Sequence, residues 1–343
     1  MSKQYSWPAQ ICVDNVCLYS TLGLVYGYSP LSSEASWQSG PGCSCLSVQA
    51  ISFGYQSVTS VRSSFWSQTQ DAVGIQLGSR DFGRARVSLS NGGVALNANA
   101  TTYGGYQAES GYDQQKANLR FDGEVAEWQL TGVLSASNLN QETAGYIQDG
   151  KGAYRSSAAR KVNRNPEAYR DARSLRAHLR FERDFGDRTV SLTPYFRSNE
   201  MEFLQHYLPW KSREMNEHDS LGFQAHMKGT ASWGDYITGI ELDSTDGRLK
   251  QDQAQPFSPN QPAGIHYDYQ VDATNIAFFG QLEVALADGL LLQAGLRSER
   301  TEYDYTTQET AGSACAPEAS ACRFYRPEDR SDDFSNLSSN LAL

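Results

Sequence analysis

Leu221-Gly222-Phe223-Gln224-Ala225-His226-Met227-Lys228 alternates without a slip. In an extended chain successive side chains point to opposite faces. Leu221, Phe223, Ala225 and Met227 therefore share one face, and Gly222, Gln224, His226 and Lys228 the other. The next stretch repeats the pattern, with Tyr236, Thr238, Ile240 and Leu242 against Ile237, Gly239, Glu241 and Asp243. Thr230 to Gly234 separates the two and reads as a hairpin turn.

The same period of two extends in both directions. Residues 116–121, 128–136, 175–182 and 190–197 set Leu119, Leu134, Leu179 and Phe196 on one side and Arg120, Ser135, Arg180 and Arg197 on the other. Residues 274–284 and 290–299 continue it, and 73–79, 84–90 and 93–103 read as weaker strands. The connections alternate in length. Asp122-Gly123-Glu124, Phe185-Gly186-Asp187, Thr230 to Gly234 and Ala287-Asp288-Gly289 are short; 138–173, 199–219, 247–270 and 306–333 are long. Short turns at one end and long loops at the other are the pattern of an up-and-down membrane barrel.

Composition agrees. The 343 residues carry 39 acidic and 29 basic side chains, a net charge of −10, which lacks the basic footprint of a nucleic-acid binder. Mean hydropathy is −0.54, yet 11% of residues are aromatic, 19 of them Tyr, which suits strands with one apolar and one wet face. No apolar run reaches the roughly 18 residues of a helical span, whereas barrel strands need only alternate. Strands such as 272–285 and 290–303 are long enough to cross a bilayer at a tilt. Tyr103, Tyr106, Trp128, Trp233, Tyr236, Tyr303 and Tyr305 fall near strand ends, where aromatic girdles belong. A soluble sandwich would show the same alternation; the strand lengths, the small, mixed apolar faces and the aromatic positions favour the membrane.

Residues 71–343 resemble the N-terminal part of the barrel of a TonB-dependent outer-membrane receptor. The stretches that carry the resemblance are 165–172 (NPEAYRDA), 193–197 (TPYFR), 201–209 (MEFLQHYLP), 266–269 (HYDY), 280–283 (GQLE), 295–299 (GLRSE) and 325–334 (YRPEDRSDDF). With them goes Arg297-x-Glu299 leading into Tyr303-Asp304-Tyr305. Residues 39–60 resemble the end of the family's plug domain: Gly40-Pro41 stand in place, Ser39 replaces the usual Arg, and the Leu-Tyr-Gly-Ser element is missing. Residues 1–70 hold only four charged side chains (Lys3, Asp14, Glu34, Arg62) and four of the six cysteines, at spacings that match no standard zinc site. They show no export signal.

The resemblance implies an all-β, antiparallel transmembrane barrel, incomplete at about 10–12 strands of a plugged large barrel. Residues 1–70 are expected to be a degraded or mistranslated plug end, and 71–343 a barrel part that is truncated at its C-terminus. The implied function is active uptake of a scarce nutrient chelate across the outer membrane of a Gram-negative bacterium. An iron-siderophore is the first expectation, haem or cobalamin the others; a passive porin-like or adhesin-like barrel is the alternative. The implied partners are outer-membrane lipid, the chelate and the TonB energy-coupling complex, whose coupling box is expected upstream of Met1. No cofactor, metal site, nucleic acid or enzymatic activity is expected; no P-loop, Gly-x-Ser-x-Gly or His-Glu-x-x-His motif occurs. Substrate contacts are expected from the long loops, at Gln205, His206, Tyr207 and Trp210 in one and His266, Tyr267 and Tyr269 in another; the same residues would also suit an aromatic girdle. Cys315 and Cys322 are expected to form a loop disulfide at the oxidising cell surface.

Overall fold

The structure is a computed structural model. It describes residues 71–147, Gly152 and 155–343, together with the backbone of four short strands that precede them. The chain divides into two units, Met1–Thr69 and Gln70–Leu343. In the first, β1 (Ala9–Val13) pairs with β2 (Val16–Ser20), and β3 (Ala50–Phe53) with β4 (Gln56–Thr59). Gly40 and Pro41 lie outside the described residues.

The second unit is one antiparallel sheet of twelve strands. It runs through β5 (Ala72–Gly78), β6 (Phe82–Asn91), β7 (Val94–Tyr103), β8 (Tyr112–Val125), β9 (Trp128–Glu142), β10 (Tyr169–Phe185), β11 (Arg188–Leu204), β12 (Arg213–Ala231), β13 (Gly234–Gln253), β14 (Gly264–Ala287) and β15 (Leu290–Thr307). Two-residue strands β16 (Gly312–Ser313) and β17 (Tyr325–Arg326) pair with each other before β18 (Arg330–Ala342) closes the order beside β15. Each sheet strand pairs with its neighbour in sequence, and β5 and β18 are the two edges. This is the up-and-down, incomplete barrel wall that the alternation requires.

One end of the sheet is made of two-residue turns at 92–93, 126–127, 186–187, 232–233 and 288–289. The other carries the connections 79–81, 104–111, 143–168, 205–212, 254–263 and 308–329. Two expectations are corrected. The turn expected at Asp122-Gly123-Glu124 lies instead at Ala126-Glu127, which takes left-handed φ values of 49° and 68° without glycine. Asp122 is held inside β8 by Thr131 directly across the strand pair (3.0 Å), and Gly123 is bare because a Cβ there would lie 2.6 Å from the Phe121 ring. The long loops are also shorter than expected, because the strands continue past the apolar band. Residues 244–253 (STDGRLKQDQ) show no hydrophobic period, yet the backbone ladder persists there. Ion pairs across neighbouring strands reinforce it: Arg213–Asp252 at 2.9 Å, Arg248–Asp268 at 3.0 Å and Lys250–Asp268 at 3.2 Å. At about 3.3 Å per residue, β14 with its 24 residues is far longer than an apolar band about 25 Å tall.

The sheet is inverted relative to a soluble protein. Among the described residues the buried hydrophobic side chains are Ala95, Ala168, Ala277, Cys315 and Phe324. The buried polar ones include Ser191, Ser220, Glu241, Gln251 and Arg297. Leu221 is 67% exposed and Phe278 59%, on the apolar face. Direct partners across seven strands, Leu89, Leu96, Leu119, Leu134, Ala177, Phe196 and Leu221, form one apolar row on that face. Large apolar side chains laid out in a continuous uncovered band need an apolar solvent.

A second row on the same face shows how the wall tilts. It passes through Val73, Val87, Ala98, Ala117, Ala136 and Leu175, then Ser198, Asp219, Asp246, Asp272, Asp304 and Ser331. A row that is apolar on six strands and acidic on four others cannot lie at constant depth in lipid. The apolar band crosses the rows, and on β15 it ends at Leu296, eight residues before Asp304. Tilted strands with staggered register produce this drift. The four aspartates stand directly opposite one another, an arrangement that costs stability. Asp246→Asn is expected to raise the stability of the refolded chain by about 0.5 kcal/mol. The gain should vanish in high salt, as chemical unfolding at two ionic strengths would show.

The polar face is knit across alternate strands over small residues. Tyr195 on β11 donates its hydroxyl to Asp243 on β13, over Gly222 on β12, where a Cβ would lie 2.1 Å from the Tyr195 ring. Arg197 adds an ion pair to the same carboxylate at 2.7 Å. Arg297 on β15 reaches Glu241 on β13 at 2.7 Å and Glu299 at 3.1 Å, over fully buried Ala277 on β14.

Candidate functional site at the loop end

The long connections meet at one end of the wall, and the expected site residues divide there into four groups. Gln205 is buried at the start of the 205–212 connection. Its amide donates to Glu214 at 2.6 Å and accepts from Gln251 at 3.3 Å. It is a structural tie between β12 and β13. His206 packs edge-on to Tyr207 at 5.8 Å and meets Thr143 of the 143–168 connection at 3.5 Å, while the Tyr207 ring is exposed. Tyr269 lies further down β14, tilted against Tyr305 at 5.1 Å.

Trp210, His266 and Tyr267 form the fourth group. Pairing on β14 slips by one residue between Tyr267, opposite Gln251, and Ile265, opposite Asp252. His266 is the extra residue, and a bulge of this kind re-aims the side chain. The imidazole is fully buried, with Nε2 donating to the Pro262 carbonyl at 2.8 Å. Its flat face stacks on Phe324 at 3.6 Å and 12°, and Tyr267 meets the same ring edge-on at 5.8 Å. Trp210 leans on Phe257 at 6.0 Å and lies under the Arg323 guanidinium at 4.7 Å. Consecutive residues of the 308–329 connection, Arg323 and Phe324, thus cover the two candidate rings.

Cys315 and Cys322 are joined, with sulfurs 2.09 Å apart and Cα atoms 5.6 Å apart. Arg323, Phe324, Phe257 and Asn260 belong to the site and are absent from the sequence-based set. The one signal for the first two was their position directly after Cys322. Among the described residues no cluster of His, Cys, Asp or Glu could hold a metal ion.

Burial pushes the His266 imidazole below its ordinary value, and Arg326 nearby lowers it further. The Pro262 carbonyl and Asp252 act in the opposite direction. Phe324 and Tyr267, which pack on the ring, present no charge to it. The neutral form belongs to the packed state. The stability it contributes is complete above about pH 6.5 and is lost as pH falls from there through the lowered folded value. Amide exchange in 308–329, corrected for intrinsic rate, is expected to accelerate between pH 7.5 and 5.5 while β6–β8, which carry no histidine, stay unchanged.

The inverted, tilted meander with short turns at one end and a packed loop cluster at the other defines the wall of a membrane β-barrel. The family model "TonB dependent receptor-like, beta-barrel" matches residues 55–343, and the chain belongs to that family. The family's barrels stand in the outer membrane of Gram-negative bacteria, and the family is one of receptors and transporters rather than enzymes. No curated protein sequence matches. Among solved structures, the ferric-catecholate import receptor Fiu from E. coli K12 superposes with a TM-score of 0.54 at 13% identity, covering 78% of this chain and 50% of that one. The siderophore receptor PiuA from Acinetobacter baumannii gives 0.55 at 9% (80% and 46%). The ferric yersiniabactin uptake receptor FyuA from Yersinia pestis gives 0.52 at 14% (80% and 43%). At these identities the likeness is one of fold, and the chain spans half or less of the structures it matches.

Proposed function

We propose that the chain supplies part of the wall and loop-end binding surface of a receptor that takes up a scarce nutrient chelate. A ferric siderophore is the first substrate class, and haem or cobalamin the others. One observation carries the reading: a family-matched membrane wall whose loop end gathers Trp210, Phe257, His266, Tyr267, Arg323 and Phe324 in one packed cluster. The flat faces of Trp210 and His266 suit a bulky, unsaturated ligand. In the same reading residues 1–70, with Gly40 and Pro41, derive from a plug domain, and import draws on the TonB complex. The family match supports a receptor over a passive pore.

The test is equilibrium binding to the full chain refolded in bilayers, with a ferric siderophore, haem and cobalamin offered separately. One class is expected to bind. Trp210→Ala should weaken it at least tenfold, about 1.4 kcal/mol. Binding of none of the three, or binding indifferent to Trp210, contradicts the proposal.

A further inference from the structure

We propose that residues 308–329 form a disulfide-braced lid that, in the free chain, occupies the flat faces of His266 and Trp210 with its own Phe324 and Arg323. The lid is built as a unit. The Cys315–Cys322 bond closes its tip. The β16–β17 pair closes its base, and the Ala314 N–H donates to the Phe324 carbonyl at 3.1 Å. This brace presents Arg323 and Phe324 side by side.

The lid is fastened by few contacts. Phe324 is 3% exposed, sandwiched by the His266 stack and the Tyr267 edge. Arg323 covers Trp210, and its N–H donates to the Asn260 carbonyl at 3.2 Å. Arg326 donates to the carbonyls of Ile265 and His266 at the bulge. These contacts satisfy the flat faces but leave the polar edges unpaired. Trp210 Nε1, Asn260 Oδ1 and His266 Nδ1 are buried and make no hydrogen bond among the described residues. With Nε2–H given to Pro262, Nδ1 is an acceptor. An unpaired buried polar atom is a cost to the closed state. A planar solute that carries both hydrogen-bond donors and acceptors on its rim would fill the same faces and also pair those atoms. It therefore competes with Phe324 and Arg323 for the site rather than binding beside them. This last step rests on the uptake reading above; the lid itself does not.

The test is diethyl pyrocarbonate labelling of the full chain folded in detergent, read by mass spectrometry at each histidine. Reagent reaches only an accessible neutral imidazole, and His178, His206, His218 and His226 serve as internal standards. In the oxidised chain His266 is expected to react at least tenfold more slowly than exposed His218. Reduction by a phosphine, which converts the disulfide to two thiols and is itself oxidised to the phosphine oxide, should raise the His266 rate at least tenfold. Phe324→Ala should do the same, and Phe324→Tyr should keep it slow. If Phe324→Ala disturbs the sheet, half-buried His226 accelerates too, and the reduction of already folded protein decides. His266 reacting as fast as His218 in the oxidised chain overturns the proposal. So does a His266 that stays slow after reduction while the circular dichroism of the sheet is intact. Chelate binding plays no part in this readout, so failure of the lid and failure of the uptake reading are separately visible.

Discussion

Ala225→Arg lowers the stability of the sheet in a bilayer by about 2–4 kcal/mol, the cost of a cation on the lipid face near mid-depth. Ala225 lies in the middle of the apolar band of β12, between Phe223 and Met227, with Leu192 and Ile240 as its direct partners on β11 and β13. The neighbouring substitution Gln224→Arg has the opposite setting. Gln224 is half-buried on the polar face directly opposite Glu241, so a guanidinium there adjoins a carboxylate and no lipid, and the expected change is within about 0.5 kcal/mol. Urea titration of both variants in lipid vesicles reads the contrast. Two consecutive residues with the same substitution and so different a cost require a wall with lipid on one side only. Equal costs would mean that both faces see the same medium.

Glu241→Ala is expected to cost about 3 kcal/mol in the same titration, the scale for removing one partner of a buried ion pair. Glu241 and Arg297 side chains are 9% and 8% exposed, and the pair spans β13 to β15 over the buried methyl of Ala277. With Glu241 gone, Arg297 keeps Glu299 at 3.1 Å and loses its shorter partner at 2.7 Å. Glu241→Gln keeps a hydrogen-bond acceptor in place and is expected to cost less than half as much. A loss below about 0.5 kcal/mol for Glu241→Ala would place the pair in open water, and the inner wall would then be a simple solvated surface.

The wall was legible wherever one face was apolar. At 116–121, 128–136, 175–182, 190–197, 221–228 and 236–243 the hydrophobic period assigned both the strand and its two faces, because burial against lipid imposes strict alternation. It failed where lipid is absent. Residues 244–253 carry Leu249 as their one large apolar side chain, and backbone pairing, cross-strand charges and side-chain hydrogen bonds such as Gln251–Gln205 and Ser220–Thr245 hold them as strand, so they read as loop. Gly123 gave a false turn: its missing side chain makes room for the Phe121 ring, and Ala126-Glu127 makes the turn with residues that rarely signal one. The loop-end site was the least legible part. Trp210 and His266 were identifiable as residue types, but the bulge that buries His266 is a register event. The covering by Arg323 and Phe324 joins segments more than fifty residues apart, which local sequence does not encode.

The central claim is that the apolar face of this sheet is bathed by lipid. Single spin labels at 221 through 228, in a full chain whose other cysteines are serine, test it most directly. Collision with oxygen, which concentrates in the bilayer, and with a water-soluble nickel chelate is measured at each position in reconstituted vesicles. The account predicts a period of two, with oxygen accessibility maximal at 221, 223, 225 and 227 and the nickel chelate excluded there. Uniform nickel accessibility along the stretch, or a period of two in the opposite phase, would contradict it.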